Sequence, residues 1–210
     1  VLLGDSIFDN QAYVGAGPDV IRQFRQALPA DWRATLLARD GSTTIEVGRQ
    51  LEAVPADATH LVVSAGGNDA IGHFGILQES AKSSAEVLGK LHAISGLFRG
   101  DYRRMLSQLR APGLPVAVCT VYHPRFPDPQ VQALSVAALA VFNDAILLEA
   151  FAARLPVLDL RLVCTEDADY ANPIEPSQQG GGKIARAIAE LLRAHDFGRR
   201  TTEVFGAALG

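Results

Sequence analysis

Three short polar segments of this sequence carry side chains suited to chemistry on an acyl group. They are Gly4-Asp5-Ser6, Gly41 and Gly66-Gly67-Asn68-Asp69, and each follows an apolar run of strand length. A serine hydroxyl can attack an acyl carbon, and a backbone N–H together with an amide side chain can hold the oxyanion that forms. Each segment alone would also suit a turn or a helix N-cap. Their joint order in the chain predicts an acyl-transfer site.

Apolar runs of strand length alternate with segments of helical period along the chain. Strict alternation predicts right-handed crossovers, and therefore an α/β fold of three layers with a five-stranded parallel sheet between helices, as in flavodoxin-like proteins. In such a sheet the ligand site lies beyond the carboxyl ends of the strands, which places the three polar segments on one edge. The predicted strands are Val1–Gly4, Ala34–Ala38, His60–Ala65, Leu114–Tyr122 and Pro156–Leu160, and the predicted helices are Asp19–Leu28, Ser80–Ile94, Gly100–Leu109, Gln130–Arg154 and Gly182–Ala194.

Length, composition and charge restrict the class of protein. The chain has 210 residues, of which 48% are hydrophobic and 20% charged, and this composition predicts one globular domain over residues 1–210. The tail from Gly198 onward has no clear helix or strand pattern. A net charge of −4 without basic runs argues against nucleic-acid binding. Cys119 and Cys164 lack metal-ligand spacing and are expected to be free thiols.

The most apolar stretch, from Val131 to Leu155, is long enough to span a bilayer. It also contains polar and charged residues that are costly in hydrocarbon, so we predict a core helix and no transmembrane segment. These are Asn143, Asp144, Glu149 and Arg154. The chain opens at Val1 within a strand pattern, which predicts further residues upstream. A cytoplasmic location is favoured, and the sequence makes no prediction of the oligomeric state.

The three polar segments resemble the motif blocks of the SGNH, or GDSL-type, esterase and lipase family, and the resemblance covers nearly the whole chain. It implies a domain that hydrolyses a small-molecule carboxylic ester through an acylated serine, without a metal or cofactor. The first block matches at Gly4-Asp5-Ser6 and implies Ser6 as the nucleophile, with its own backbone N–H in the oxyanion hole. The second and third match at Gly41 and Gly66-Gly67-Asn68-Asp69, and imply the Gly41 N–H and the Asn68 amide as further donors.

The fourth block of the family, an Asp, two residues and the catalytic His, is replaced by Asn172-Pro173-Ile174-Glu175. Asn172 takes the place of the Asp, and Glu175 takes the place of the His. A carboxylate base would be repelled by an Asp, and we expect the Asn172 amide to donate a hydrogen bond to it instead. The reference pKa of Glu lies about two units below that of His, and desolvation could restore part of this basicity.

Alternatives to this assignment remain open at the level of sequence. Glu175 precedes a helix and would equally serve to stabilise its N-terminus. His123, at the end of a predicted strand on the active edge, is an alternative base to Glu175, and His73 is a weaker one. If neither is the base, we assign both to substrate binding. Asp5 and Asp69 are also assigned to substrate binding.

The competing function is a degenerate protein that binds an acyl or acetylated ligand without turnover. A third hypothesis, acid/base hydrolysis by Asp69 and Glu175 as paired carboxylates, requires a separation of about 5 to 10 Å.

Overall fold

The fold is built on a parallel sheet of five short strands. The structure, a computed structural model, describes residues 1–199 and 201–207. The strands are β1 (Leu2–Gly4), β2 (Leu61–Ser64), β3 (Val116–Cys119), β4 (Val157–Leu158), β5 (Tyr170–Asn172), β6 (Glu175–Pro176) and β7 (Val204–Phe205). The sheet has the order β1-β2-β3-β4-β7, whereas β5 and β6 form a separate antiparallel hairpin. The predicted five-stranded parallel sheet is therefore confirmed, with one strand exchanged for another.

The predicted strand Ala34–Ala38 is wrong. This segment runs beside β1 but forms only an isolated parallel bridge, between Leu36 and Leu2. The backbone N–H groups of both Leu37 and Ala38 donate to the Leu2 carbonyl, so the regular alternation of a ladder is broken.

The fifth strand is β7, which lies in the tail that carried little signal and pairs with β4. Two residues are too short to give a recognisable pattern. Residues 200 and 208–210 of that tail lie outside the described part of the chain.

In the described residues six α-helices connect the strands, and two differences from the predictions stand out. The predicted helices Ser80–Ile94 and Gly100–Leu109 are one continuous helix of 27 residues. Two short helices, of seven and six residues, were not predicted, because neither is long enough for a clear period. The helices are α1 (Val20–Ala27), α2 (Thr44–Gln50), α3 (Gly67–Gly72), α4 (Ser84–Arg110), α5 (Pro129–Ala153) and α6 (Gln178–Ala194).

Alternate residues of the strands enter two separate hydrophobic clusters, one on each face of the sheet. Leu2 and Val62 pack in the cluster that contains residues of α1 and α6. Leu3 and Val63 pack in the cluster that contains residues of α4 and α5. Successive side chains of a strand point to opposite faces, so this division confirms the three-layer arrangement.

Helix α5 contributes both to the core and to the polar contacts between layers. Its Phe142 and Ile146 are buried in the core, and its Asn143 side chain accepts from the Val121 N–H and donates to the Val121 carbonyl, both at 2.8 Å. Buried Glu149 accepts from Arg99 and Arg103 of α4. The helix is also long and apolar enough for a membrane span, so the absence of a transmembrane segment stays a prediction.

Candidate active site

Ser6 lies in the turn that directly follows β1. The turn is fixed by the Asp5 carbonyl, which accepts the N–H groups of Phe8 and Asp9. Gly4 has a φ of 127°, and a Cβ there would collide with the Ser64 carbonyl of the neighbouring strand. Only glycine permits this close approach, which brings Ser6 to the carboxyl end of the sheet.

The buried Ser6 hydroxyl donates a hydrogen bond to Glu175 Oε1 at 3.0 Å. Glu175 is the first residue of β6, on a hairpin at the other end of the sequence. This is the hydrogen-bond geometry required between a nucleophile and a general base.

The hairpin that presents Glu175 is shaped by Asn172, but not in the expected manner. Asn172 Oδ1 accepts the backbone N–H groups of Ile174 and Glu175, both at 3.0 Å. Among the described residues there is no hydrogen bond from the Asn172 amide to the Glu175 carboxylate. Asn172 therefore stabilises the turn through its side-chain oxygen. The expected hydrogen bond from its amide to the Glu175 carboxylate was a wrong prediction.

A second hydrogen bond stabilises the same turn. The Tyr122 hydroxyl, which lies just beyond β3, donates to the Ile174 carbonyl at 2.7 Å. Tyr122 is almost fully buried, so this bond is shielded from solvent. The residue before Glu175 is thus tied to the central sheet.

Burial raises the pKa of Glu175 to about 7, while the hydrogen bond from Ser6 lowers it and the negative charge of Asp40 raises it. Its second oxygen, Oε2, is buried and has no hydrogen-bond partner in the described part of the chain. Desolvation disfavours the carboxylate form when few donors compensate for lost water. The pKa of Glu175 is thereby raised to a value close to that of histidine.

Asn68 lies at the start of α3, at the same end of the sheet as Ser6. Its Nδ2 donates to the Ser42 carbonyl at 3.0 Å. An amide nitrogen carries two hydrogens, so a second donor remains for a ligand. The Ser6 N–H makes no hydrogen bond to the described residues, and both groups border the same cleft.

Gly41 lies in the turn beside Ser42 and has a φ of 79°, a conformation that favours glycine. It is exposed and is not a lining residue of the cleft. The bond from Asn68 to the Ser42 carbonyl links this turn to α3. The Gly41 N–H remains an expected third donor, carried by a loop that Asn68 holds.

The two aspartates assigned to substrate binding occupy different environments. Asp5 borders the cleft, its Oδ1 accepts the Ile7 N–H at 3.1 Å, and burial raises its pKa to about 8. Asp69 does not border the cleft. Its Oδ2 accepts both the backbone N–H and the hydroxyl of Thr44 at 3.0 Å, and burial raises its pKa. Asp69 thus anchors the start of α2.

The two candidate histidines are also separated. His73 is an exposed residue at the edge of the cleft, with its ring 6.3 Å from that of Phe142. His123 does not border the cleft; burial and the charges of Arg161 and Arg125 lower its pKa. Neither imidazole is hydrogen-bonded to Ser6, whose hydroxyl donates to Glu175.

An apolar cleft of about 110 Å³ opens beside Ser6 and Glu175. Sequence reasoning missed the contribution of α4 and α5, although their apolar residues recur with helical period. It also missed Ser135, the polar side chain that α5 adds to this wall. The cleft is lined by Asp5, Ser6, Ile7, Gly67, Asn68, Ala70, Ile71, His73, Phe74, Ile76, Leu77, Leu91, Ile94, Val121, Tyr122, Pro124, Phe126, Ser135, Ala138, Leu139, Phe142, Ile174 and Glu175.

Residues suited to a metal ion are not clustered in this cleft. Residues 1–199 and 201–207 contain no group of three or more His, Cys, Asp or Glu side chains arranged to hold one. Cys119 and Cys164 are buried free thiols in the hydrophobic cluster that contains residues of α1 and α6.

The sheet order and the helical layers define the class of protein as an α/β protein with the SGNH hydrolase fold. The sequence profile of the GDSL-like Lipase/Acylhydrolase family matches residues 2–183, and the chain belongs to this family. The resemblance noted from the motif blocks is thereby confirmed. No curated protein sequence matches the chain.

Solved structures with the same fold include esterases and lipases. The lipase Lip_vut3 from a goat rumen metagenome is 19% identical with a TM-score of 0.66, over 95% of this chain and 97% of that one. An aryl esterase of M. smegmatis is 14% identical with a TM-score of 0.62, over 92% and 97%. Est24, a carbohydrate acetylesterase from Sinorhizobium meliloti, is 12% identical with a TM-score of 0.65, over 92% and 97%. Family and neighbours support hydrolysis of ester bonds.

Proposed function

We propose that the protein hydrolyses carboxylic esters through an acyl-enzyme on Ser6, with Glu175 as the general base. The observation that carries this proposal is the hydrogen bond of 3.0 Å from the Ser6 hydroxyl to Glu175 Oε1. The substrate is a small-molecule ester whose chain lies in the apolar cleft beside these residues.

In the acylation step, Ser6 Oγ attacks the ester carbonyl carbon and its proton passes to Glu175 Oε1. The carbonyl π electrons move to oxygen, where the Ser6 N–H, the Asn68 amide and the Gly41 N–H are proposed to donate. Collapse of the tetrahedral intermediate breaks the bond to the alcohol, which leaves with the proton from Glu175. Water then repeats the sequence on the acyl-enzyme and releases the carboxylic acid.

The charge of the base explains why Asn172 can replace an aspartate. A histidine base becomes a cation when it accepts the serine proton, and a neighbouring carboxylate stabilises that cation. A glutamate base becomes neutral at the same step, so it needs no counter-charge. The neutral Asn172 turn and the buried Oε2 of Glu175 both suit a base of this kind.

The raised pKa of Glu175 supports the same role. Burial brings this pKa to about 7, which is near the value at which a general base works best at neutral pH. An acid that only stabilised the start of α6 would accept N–H groups of the first helical turn, whereas the Glu175 carboxylate accepts from Ser6. In the structure Ser177 caps α6, since its side chain accepts the Gly180 N–H.

The second candidate, binding of an acyl or acetylated ligand without turnover, is favoured by one observation. The Ser6 hydroxyl donates to a glutamate and has no histidine partner among the described residues, and a serine without an effective base would bind an ester without turnover. The free donors of Ser6 and Asn68 beside the cleft argue for turnover, because a binding protein does not need to hold an oxyanion.

The test combines covalent labelling with turnover. A fluorophosphonate should label the wild type and not Ser6→Ala, and only the wild type should hydrolyse p-nitrophenyl butyrate at a rate above the uncatalysed one. The exposed Ser107 of α4 supplies the matched control, Ser107→Ala, which should behave as the wild type. Labelling without turnover would favour the binding protein, and full activity in Ser6→Ala would contradict the mechanism.

A further inference from the structure

Ser135 is a polar residue within the apolar wall that α5 contributes to the cleft. The residue is 8% exposed, and its hydroxyl oxygen is buried with no hydrogen-bond partner in the described part of the chain. Helical serines commonly satisfy their hydroxyl on the carbonyl four residues earlier, which here is that of Val131. That bond is not formed, so the hydroxyl of this cleft-lining residue keeps its donor and acceptor capacity unused.

The position of Ser135 within the cleft follows from the period of the helix. Ser135, Ala138 and Phe142 all line the cleft and lie three and seven residues apart, on one face of α5. Seven residues of helix advance by about 10 Å, or two turns.

Phe142 marks the end of this row that is nearer the catalytic residues. Its ring is 5.0 Å from that of Phe98, and Phe98 in turn lies against Gly66, at the start of the α3 segment that carries Asn68. The next residue of α5, Asn143, binds the backbone of Val121 at the end of the sheet. Ser135 therefore lies about two helical turns further out, beyond the sheet edge.

We propose that Ser135 forms a subsite for an oxygen substituent on the apolar chain of the ester substrate. This inference rests on the proposed function, since it takes the ester group to lie at Ser6. A serine hydroxyl both donates and accepts, so a hydroxyl or a keto group on the chain satisfies it equally. An unsubstituted chain leaves the buried hydroxyl without a partner, and a site built to bond a polar group discriminates against such an analogue.

The oxygen substituent can lie on the acyl chain or on the alcohol chain of the ester, and the test distinguishes these two positions. The acyl arm compares p-nitrophenyl decanoate with p-nitrophenyl hydroxydecanoates that carry the hydroxyl on successive outer carbons. The alcohol arm compares decyl acetate with the corresponding hydroxydecyl acetates. Because Ser135 and Phe142 lie about 10 Å apart along α5, long chains are used.

At one hydroxyl position the wild type should prefer the substituted ester. In Ser135→Ala the ratio of kcat/KM for the substituted and plain esters should fall by about tenfold, the value of one hydrogen bond in a buried site. The exposed Ser107 lies outside the cleft, and Ser107→Ala should leave the ratio unchanged. The arm in which the ratio falls identifies the half of the ester that occupies the cleft.

Thermal unfolding gives a second readout that needs no substrate. Because Ser135→Ala removes an unsatisfied buried hydroxyl from a helix, its melting temperature should equal or exceed that of the wild type. A lower melting temperature would mean that the hydroxyl already has a partner and would overturn the subsite.

The kinetic outcomes separate this inference from the proposed function. Hydrolysis of the plain esters with ratios unaffected by Ser135→Ala would overturn the subsite and leave the proposed function intact. A wild type that hydrolyses none of the esters would overturn both.

Discussion

The Ser6 hydroxyl donates to Glu175 Oε1 at 3.0 Å, although 169 residues separate the two along the chain. The contact depends on two close approaches of backbone. Gly4 lets β1 pass against the Ser64 carbonyl, and Gly180 lets α6 pass against the Asp169 carbonyl at the base of the Glu175 hairpin. Any larger residue at either glycine would displace one partner of the pair.

The first prediction concerns Asn68 as the proposed oxyanion donor. Replacing Asn68 by Ala removes the side-chain amide and should lower kcat by about a hundred- to a thousandfold with little change in KM, because the lost bond is made chiefly in the transition state. Steady-state kinetics with p-nitrophenyl butyrate measure both constants.

The bond from Asn68 to the Ser42 carbonyl is lost in the same variant. Its melting temperature therefore serves as a control for a displaced Gly41 turn. A change confined to KM would reassign Asn68 to substrate binding.

The second prediction concerns Tyr122 as a positioning residue. Tyr122→Phe keeps the ring but removes the bond of 2.7 Å to the Ile174 carbonyl, next to Glu175. The loss of roughly 1 kcal/mol should loosen the turn and lower kcat by about fivefold, with KM nearly unchanged.

Tyr102→Phe is the matched control for this variant. The Tyr102 hydroxyl is buried in the core without a partner among the described residues, so its removal should leave kcat unchanged. Equal effects in the two variants would show that Tyr122 acts only through general stability.

The sequence predicts the larger part of the fold because its strands and long helices are local patterns. The segment Ala34–Ala38 has the composition of a strand, and only its contacts with β1 show that the ladder is broken at Leu2. The strand β7 is recognisable only from its pairing with β4. Pairing between distant segments is information that a local window does not contain.

The order of the motif blocks predicts that Ser6, Asn68 and Glu175 lie in one site. It does not predict how their side chains are oriented. The Asn172 side chain turns its oxygen to the backbone, a preference of Asx turns that competes with the expected amide donation. The pKa of Glu175 depends on burial by residues from several elements. Such shielding exists only in the folded chain.

The third prediction exchanges Glu175, the proposed base, and Asn172 for the pair of residues that the family resemblance implies. Asn172→Asp combined with Glu175→His supplies a histidine and its counter-charge, and turnover should stay within about tenfold of the wild type, because the pKa of Glu175 is already near that of histidine. Glu175→His alone should be slower by about a hundredfold or more, since the imidazolium then has no carboxylate beside it.

Turnover of p-nitrophenyl butyrate by the wild type, the single variant and the double variant measures the difference. Equal rates in the two variants would mean that position 172 does not orient the base, and that the correspondence between this loop and the fourth family block is wrong.

The central claim, that Glu175 is the base for Ser6, is tested most directly by the dependence of kcat/KM on pH in the wild type and in Glu175→Gln. Only the ionised carboxylate accepts the serine proton, so the wild-type rate should rise with pH and level off above a midpoint near 7. Glu175→Gln should lose about a hundred- to ten-thousandfold and show no such rise, while His73→Asn and His123→Asn keep it. A rise that persists in Glu175→Gln and disappears in either histidine variant would contradict the account.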